Sequence, residues 1–131
     1  MRYLLDVNVL IALAHTGHSL HAKAITWYQA VVPSATGLHT CAITELGFLR
    51  VSVVTGLQVD VAGAKQSLQA LKSSSKIRFE LLADDLGAAQ LPAFVKKTQS
   101  ITDGHLVELA RRHAAQLVTL DRGIPGSLFI G

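Results

Sequence analysis

Residues 101–123, ITDGHLVELARRHAAQLVTLDRG, carry a helix into a strand and decide the class of fold. From Thr102 the segment DGHLVELARRHAA is strongly helical. Gln116 to Leu120 is an apolar strand that stops at the turn residues Asp121-Arg122-Gly123. The same grammar recurs towards the N-terminus. Arg2 to Leu5 is a short apolar run ending at Asp6, and Val7 to Ala14 continues apolar as a helical turn, so Asp6 is expected at the carboxyl end of a buried strand.

Between these ends the elements keep alternating. Ser19 can cap a helix running through Trp27 to Val31, which Pro33 and the Ser-Ala-Thr-Gly stretch after it terminate. Gly37 to Cys41 reads as a second strand. Thr44 can cap the next helix, where Leu46, Leu49 and Val53 repeat at helical spacing before Gly56. A third helix spans about Val61 to Leu71, Ser73-Ser74-Ser75 breaks the chain, Ile77 to Leu82 is strand-like, and a short helix is expected after Asp84-Asp85. Strands alternating with helices imply a mainly parallel sheet covered on both faces.

The 131 residues, 50% hydrophobic and 16% charged, fit one domain over 1–131 with no room for a second core. Mean hydropathy is high at +0.38, but Asp6, His15 and Glu45 interrupt the most apolar stretches, so neither a membrane span nor a targeting segment is expected. The lone Cys41 has no internal disulfide partner and points to a reducing compartment, the cytoplasm. A net charge of +3 favours a polyanionic partner without identifying it. So much apolar residue with so few charges also suggests surface covered by a partner, a second copy or another protein.

Acidic residues carry the chemistry. In open α/β sheets ligands gather at the carboxyl ends of the strands. Asp6 ends the first strand, Asp103 opens a late helix and Asp121 ends a late strand, so carboxylates distant in sequence can meet at one edge. Glu45, in the first turn of the Thr44 helix beside Leu46, Phe48 and Leu49, can join them and would need compensation for its charge. Such a cluster repels itself unless protons or a divalent cation intervene. Mg²⁺ and Mn²⁺ prefer carboxylate and water oxygens, and a site of that kind suits phosphoryl chemistry. Singly, each acid has an ordinary explanation: Asp103 as a helix N-terminal charge, Asp121 as a turn residue, Glu45 as an exposed first-turn acid. Asp6, between two apolar runs, is the hardest to explain in that way.

LLDVNVLIAL at the start, the TELGFLR segment, and ITDGHLVELARRHAAQLVTLDRG near the end, in that order and spacing, resemble the PIN-domain family and specifically its VapC-type toxins. The resemblance covers essentially the whole chain. It implies a three-layer α/β/α fold with a mainly parallel central sheet, dependence on Mg²⁺ or Mn²⁺, and endonucleolytic hydrolysis of RNA by metal-activated water, leaving 5′-phosphate and 3′-hydroxyl ends. Asp6, Glu45, Asp103 and Asp121 match the family's acidic quartet. Asn8 matches the polar residue of the opening D-x-N, and Thr119 the hydroxyl residue two before the last acid. The resemblance assigns the metal to Asp6, Asp103 and Asp121, with Glu45 positioning a water or helping a second ion, and makes Asn8 and Thr119 orienters. It also implies a cognate antitoxin that blocks the acidic site, and a structured RNA such as a transfer RNA as substrate; a homodimer is expected.

Arg50 and Arg122 lie near the motif acids in sequence and could grip backbone phosphates, or could equally be solvated or structural. His15, His18 and His21 are spaced by three, but the stretch spans a turn with Gly17 and Ser19 and supplies no cysteine or nearby carboxylate for zinc. His105, two residues after Asp103, could reach substrate but reads more simply as a surface residue. Trp27, Tyr28 and Phe48 fit core or interface better than base stacking. A phosphorylated receiver module would need an acidic pair at the first strand, a mid-chain phosphoacceptor and a late lysine, whereas no lysine follows Lys97. A non-catalytic RNA- or protein-binding PIN module would tolerate loss of a motif acid, and all four are present.

Overall fold

A computed structural model describes all residues, 1–131. Five strands form one sheet: β1 (Arg2–Leu5), β2 (Gly37–Cys41), β3 (Phe79–Leu82), β4 (Ala115–Thr119) and β5 (Leu128–Phe129). Their spatial order is β3-β2-β1-β4-β5, and every neighbouring pair is parallel. The register sets Leu4 beside His39 on one side and Leu117 on the other, so β1 runs through the centre.

Alternation along the central strands creates the layers. Leu5 and Val118 face a core shared with Val9, Leu10, Phe48 and Leu68, which come from α1 (Val7–Ala14), α3 (Ala42–Val54) and α4 (Val61–Ser74). α2 (His21–Val31) completes that side with Ala24. Leu4 and Leu117 point the other way, into a core with Leu106, Leu109 and Ala110 of α5 (Ile101–Arg112). Helices thus cover both faces and give the three layers expected. Each fully buried leucine contributes roughly 1.5–3 kcal/mol relative to exposure. No helix is long and apolar enough to cross a membrane.

Several boundaries differ from the sequence-based expectation, for local reasons. Leu20, not Ser19, precedes α2. Cys41 precedes α3, and Thr44 lies one turn inside it, with its hydroxyl accepting from the Cys41 N–H at 2.9 Å. A threonine that reaches back to the cap position reads like the cap itself. The third strand begins at Phe79 rather than Ile77, whose side chain instead packs in the core. After Asp84-Asp85 only a 3₁₀ turn forms, at Ala88–Gln90. Two-residue β5 carried no pattern to read.

Candidate active site

Asp6 is fixed from three directions. Its N–H donates to Val118 O at 2.9 Å, its extended backbone makes it the N-cap of α1, and its carboxylate accepts from Val7 N–H at 2.8 Å. The other carboxylate oxygen accepts from the Thr119 hydroxyl, also at 2.8 Å. The residue is buried, at 6% exposure. Burial pushes its carboxyl above the ordinary range, with the Asp121 charge adding to the rise and the Thr119 and Val7 hydrogen bonds opposing it.

Asn8 and Thr119 lock the ends of β1 and β4 together. The Asn8 carbonyl accepts from Leu120 N–H at 3.1 Å, and its amide donates to Thr119 Oγ1 at 3.4 Å. Thr119 Oγ1 also accepts from the Asp121 N–H at 3.1 Å. The one hydroxyl proton is therefore spent on Asp6, and both lone-pair positions are engaged.

Asp103, in the first turn of α5, is half-buried, and Asp121 follows β4 in an exposed turn. Burial raises the Asp103 carboxyl, and the charges of Asp6 and Asp121 raise it further. Asp6 thus feels Asp121, and Asp103 feels both, across a shared recess. That recess, about 240 Å³, is lined by Asp6, Val7, Asn8, Ile11, His18, Val51, Asp103 and Asp121. Asp103 and Asp121 also line an adjoining groove of about 460 Å³, with Phe94, Gln99, Ser100 and Arg122 on its walls.

Gly104 builds one wall of this groove. A Cβ at that position would fall 2.1 Å from Val95 Cγ2, so only glycine lets the 92–100 segment lie against α5 beside Asp103. Positive φ at Gly123, 80°, turns the chain after Asp121. Arg122 then lies over the Phe129 ring, 4.5 Å from its centroid, and is held at the groove by a cation–π contact.

Glu45 stands apart from the trio. One of its oxygens accepts from the Thr40 hydroxyl and from Lys72 Nζ, the latter at 2.8 Å, and the residue does not line the recess. Its charge does not figure among the causes that shift Asp6 or Asp103. Arg50 is exposed on α3 and lines neither the recess nor the groove. His105 is not a free surface residue: its Nε2 meets Asp84 Oδ2 at 2.5 Å, tying α5 to the segment after β3.

The three spaced histidines have separate partners. His15 stacks on Phe48 and its Nε2 meets Ser52 Oγ at 3.4 Å, His21 Nδ1 donates to Ala12 O at 2.7 Å, and His18 Nδ1 accepts from Leu20 N–H at 3.0 Å. Only His18 reaches the acidic recess. Sequence reasoning took the three together as part of a turn, and nothing in their spacing separates the one beside the acids. Lys72 also escaped it, because an ion pair with a partner 27 residues earlier leaves no local mark.

The donor set suits a hard divalent ion: carboxylate oxygens from three aspartates, two of them held above their usual range by burial and neighbouring negative charge, and an open side for water. The side chains do not converge into a closed cage of three or more protein ligands. An ion here would complete its shell with water and substrate oxygens, as Mg²⁺ commonly does.

A parallel α/β/α sandwich with an aspartate cluster at the carboxyl edge of its sheet defines the class of protein. The chain belongs to the PIN-domain family, whose model, described as PIN domain, matches residues 3–125. Among its relatives is Ribonuclease VapC38 of Mycobacterium tuberculosis, 41% identical over 126 residues that make up 92% of this chain and 86% of the relative. Ribonuclease VapC29 of the same species is 36% identical, covering 95% of this chain and 89% of its own, and Ribonuclease VapC39 is 35% identical over 100% and 96%. The fold matches crystal structures of Mycobacterium tuberculosis VapC20, described as a sarcin-ricin loop cleaving toxin, and of Rickettsia felis VapBC2 bound to a DNA fragment from their promoter. Both have TM-scores of 0.63 at 14% identity, covering 92% and 98% of this chain and 89% and 97% of theirs.

Proposed function

We propose that this chain is the toxin of a VapBC-type pair, an endoribonuclease of the cytoplasm that hydrolyses RNA phosphodiesters with Mg²⁺ or Mn²⁺ held by Asp6, Asp103 and Asp121. The observation that carries this reading is the recess those three aspartates share, where burial and neighbouring negative charge raise the proton affinity of Asp6 and Asp103. The VapC ribonucleases among its relatives support the substrate class, and the VapBC2 structure supports an antitoxin partner.

A bound divalent ion supplies phosphate polarisation and a more acidic water. The chain supplies the rest. Asp6, oriented by Thr119 and Val7, presents a fixed carboxylate, and Asn8 keeps the strand ends from spreading. Asp103 and Asp121 bound the open side where a phosphodiester can enter. Arg122, steadied by Phe129, is placed to meet a backbone phosphate in the adjoining groove, and a role for exposed Arg50 would require RNA that reaches across α3. Glu45 acts on an attacking water only if it leaves Lys72 and Thr40.

The substrate we favour is a structured RNA such as a transfer RNA. The antitoxin blocks the site by pairing a basic side chain with the aspartates. Exposed Leu46 and Val54 on α3, Val61 at the start of α4 and Val59 in the loop between them support a protein-covered surface, which we assign to a second copy of the chain.

The decisive experiment incubates purified protein with total RNA in Mg²⁺ or Mn²⁺, beside EDTA and Asp6→Ala controls, and maps the product ends. Discrete cuts ending in 5′-phosphate and 3′-hydroxyl, lost in both controls, are expected. Identical cutting by wild type and variant, or no cutting of any RNA, would overturn the reading.

A further inference from the structure

We infer that His18 is a substrate-binding residue, whose Nε2–H donates to a backbone phosphate of RNA bound at the aspartate recess. The inference rests on the ribonuclease reading for the nature of the ligand, and on local geometry for the contact.

The recess holds three carboxylates but few groups able to receive an anion. Its apolar lining residues offer no side-chain donor. Asn8 is committed to the strand ends through Leu120 and Thr119. The Val7 N–H is committed to Asp6. His18 is the remaining polar side chain, and its ring is already oriented. Nδ1 accepts the Leu20 N–H at 3.0 Å, which makes Nε2 the protonated nitrogen of the neutral ring. No protein acceptor takes that proton.

The backbone holds the residue in place as well. His18 N–H donates to His15 O and His21 N–H donates to His18 O, both at 3.0 Å, so two consecutive turns bracket it. His15 below is anchored on Phe48 and Ser52. This half-buried, pre-oriented donor lines the recess and has no protein acceptor in the free chain. A phosphodiester drawn in with a divalent ion changes that, because its non-bridging oxygens need acceptor-matched partners on the side away from the acids. Ile11 and Val51 also line the recess and would reduce competition from water.

The test uses the full chain carrying Asp6→Asn, to stop cleavage, in Mg²⁺ with a short random-sequence RNA oligonucleotide. Nitrogen-15 histidine spectra should show the His18 Nε2 signal moving on titration while Nδ1 stays an acceptor. His18→Ala should weaken RNA binding about ten-fold, the size expected for one hydrogen bond to a charged group, and His18→Gln should restore most of it. Unchanged affinity in His18→Ala with a stationary Nε2 signal would overturn the inference, as would a response to inorganic phosphate but none to RNA. The two readings fail separately. RNA cleavage by wild type without any His18 response removes this contact and leaves the nuclease, whereas a His18-dependent RNA complex in a protein that cuts nothing removes the nuclease and leaves the contact.

Discussion

Asp6 serves two purposes that pull against each other. As an N-cap it stabilises α1, yet burial and the neighbouring Asp121 charge make its ionised form costly. Asp6 and Asp103 both bind protons more tightly in the folded chain than in the unfolded one. Without metal, stability therefore falls as pH rises through their elevated folded values, and is recovered as pH drops towards the ordinary carboxylate range. Asp6→Asn keeps one oxygen for the cap and removes the charge; it gives up the Thr119 hydrogen bond, which weighs less on this group than its burial. We expect it to raise the melting temperature at neutral pH in EDTA, to flatten that pH dependence, and to abolish cleavage. Calorimetry across mildly acidic to neutral pH checks this; a variant less stable than wild type at neutral pH would contradict it. The aspartates were legible as residues because motif order and strand ends both marked them. The engagement of Glu45 with Lys72 and Thr40 was not, since it depends on how α4 packs across α3.

At the level of elements, Arg2–Leu5, Val7–Ala14 and Gly37–Cys41 were readable to the residue, the first two as apolar runs with a polar stop and the third from its place between the Pro33 break and the Thr44 helix. The helix caps were harder, because Ser19 and Thr44 are good capping residues that lie one position before and three positions after the true caps, Leu20 and Cys41. Nothing in the sequence announced the wall formed by the 92–100 segment either, yet Gly104 records it. Replacing Gly104 by Ala gains helix propensity of roughly 1 kcal/mol but forces a methyl into stiff, β-branched Val95. Overpacking of this kind costs about 1–3 kcal/mol, so the wall should yield. The expected outcome is a modest loss of stability with a larger loss in RNA affinity, because Phe94, Gln99 and Ser100 shift with it. Denaturant unfolding beside RNA titration separates the two, and unaltered RNA affinity would show that this wall does not touch substrate.

For the molecule as a whole, the sheet order was beyond the sequence, although its parallel character was not. Alternating helices and strands require crossovers, but nothing local says that β1 lies between β2 and β4. That central position brings Asp6 beside the end of β4 and so beside Asp121. Because all the strands run the same way, the opposite rim, where Arg2, Gly37 and Ala115 start their strands, carries none of the proposed chemistry. The exposed turn at Pro33 and Ser34 opens onto that rim. Lengthening a surface loop costs little entropy, about 0.6 kcal/mol per doubling. A fluorophore-bearing or biotin-accepting peptide inserted between Pro33 and Ser34 should leave RNA cleavage within about two-fold of wild type, while the same peptide after Gly123 should abolish it. The rim far from the aspartates is thus a handle by which the protein can be tethered to a surface with its reactive edge facing outward, so that single RNA molecules could be watched as they arrive.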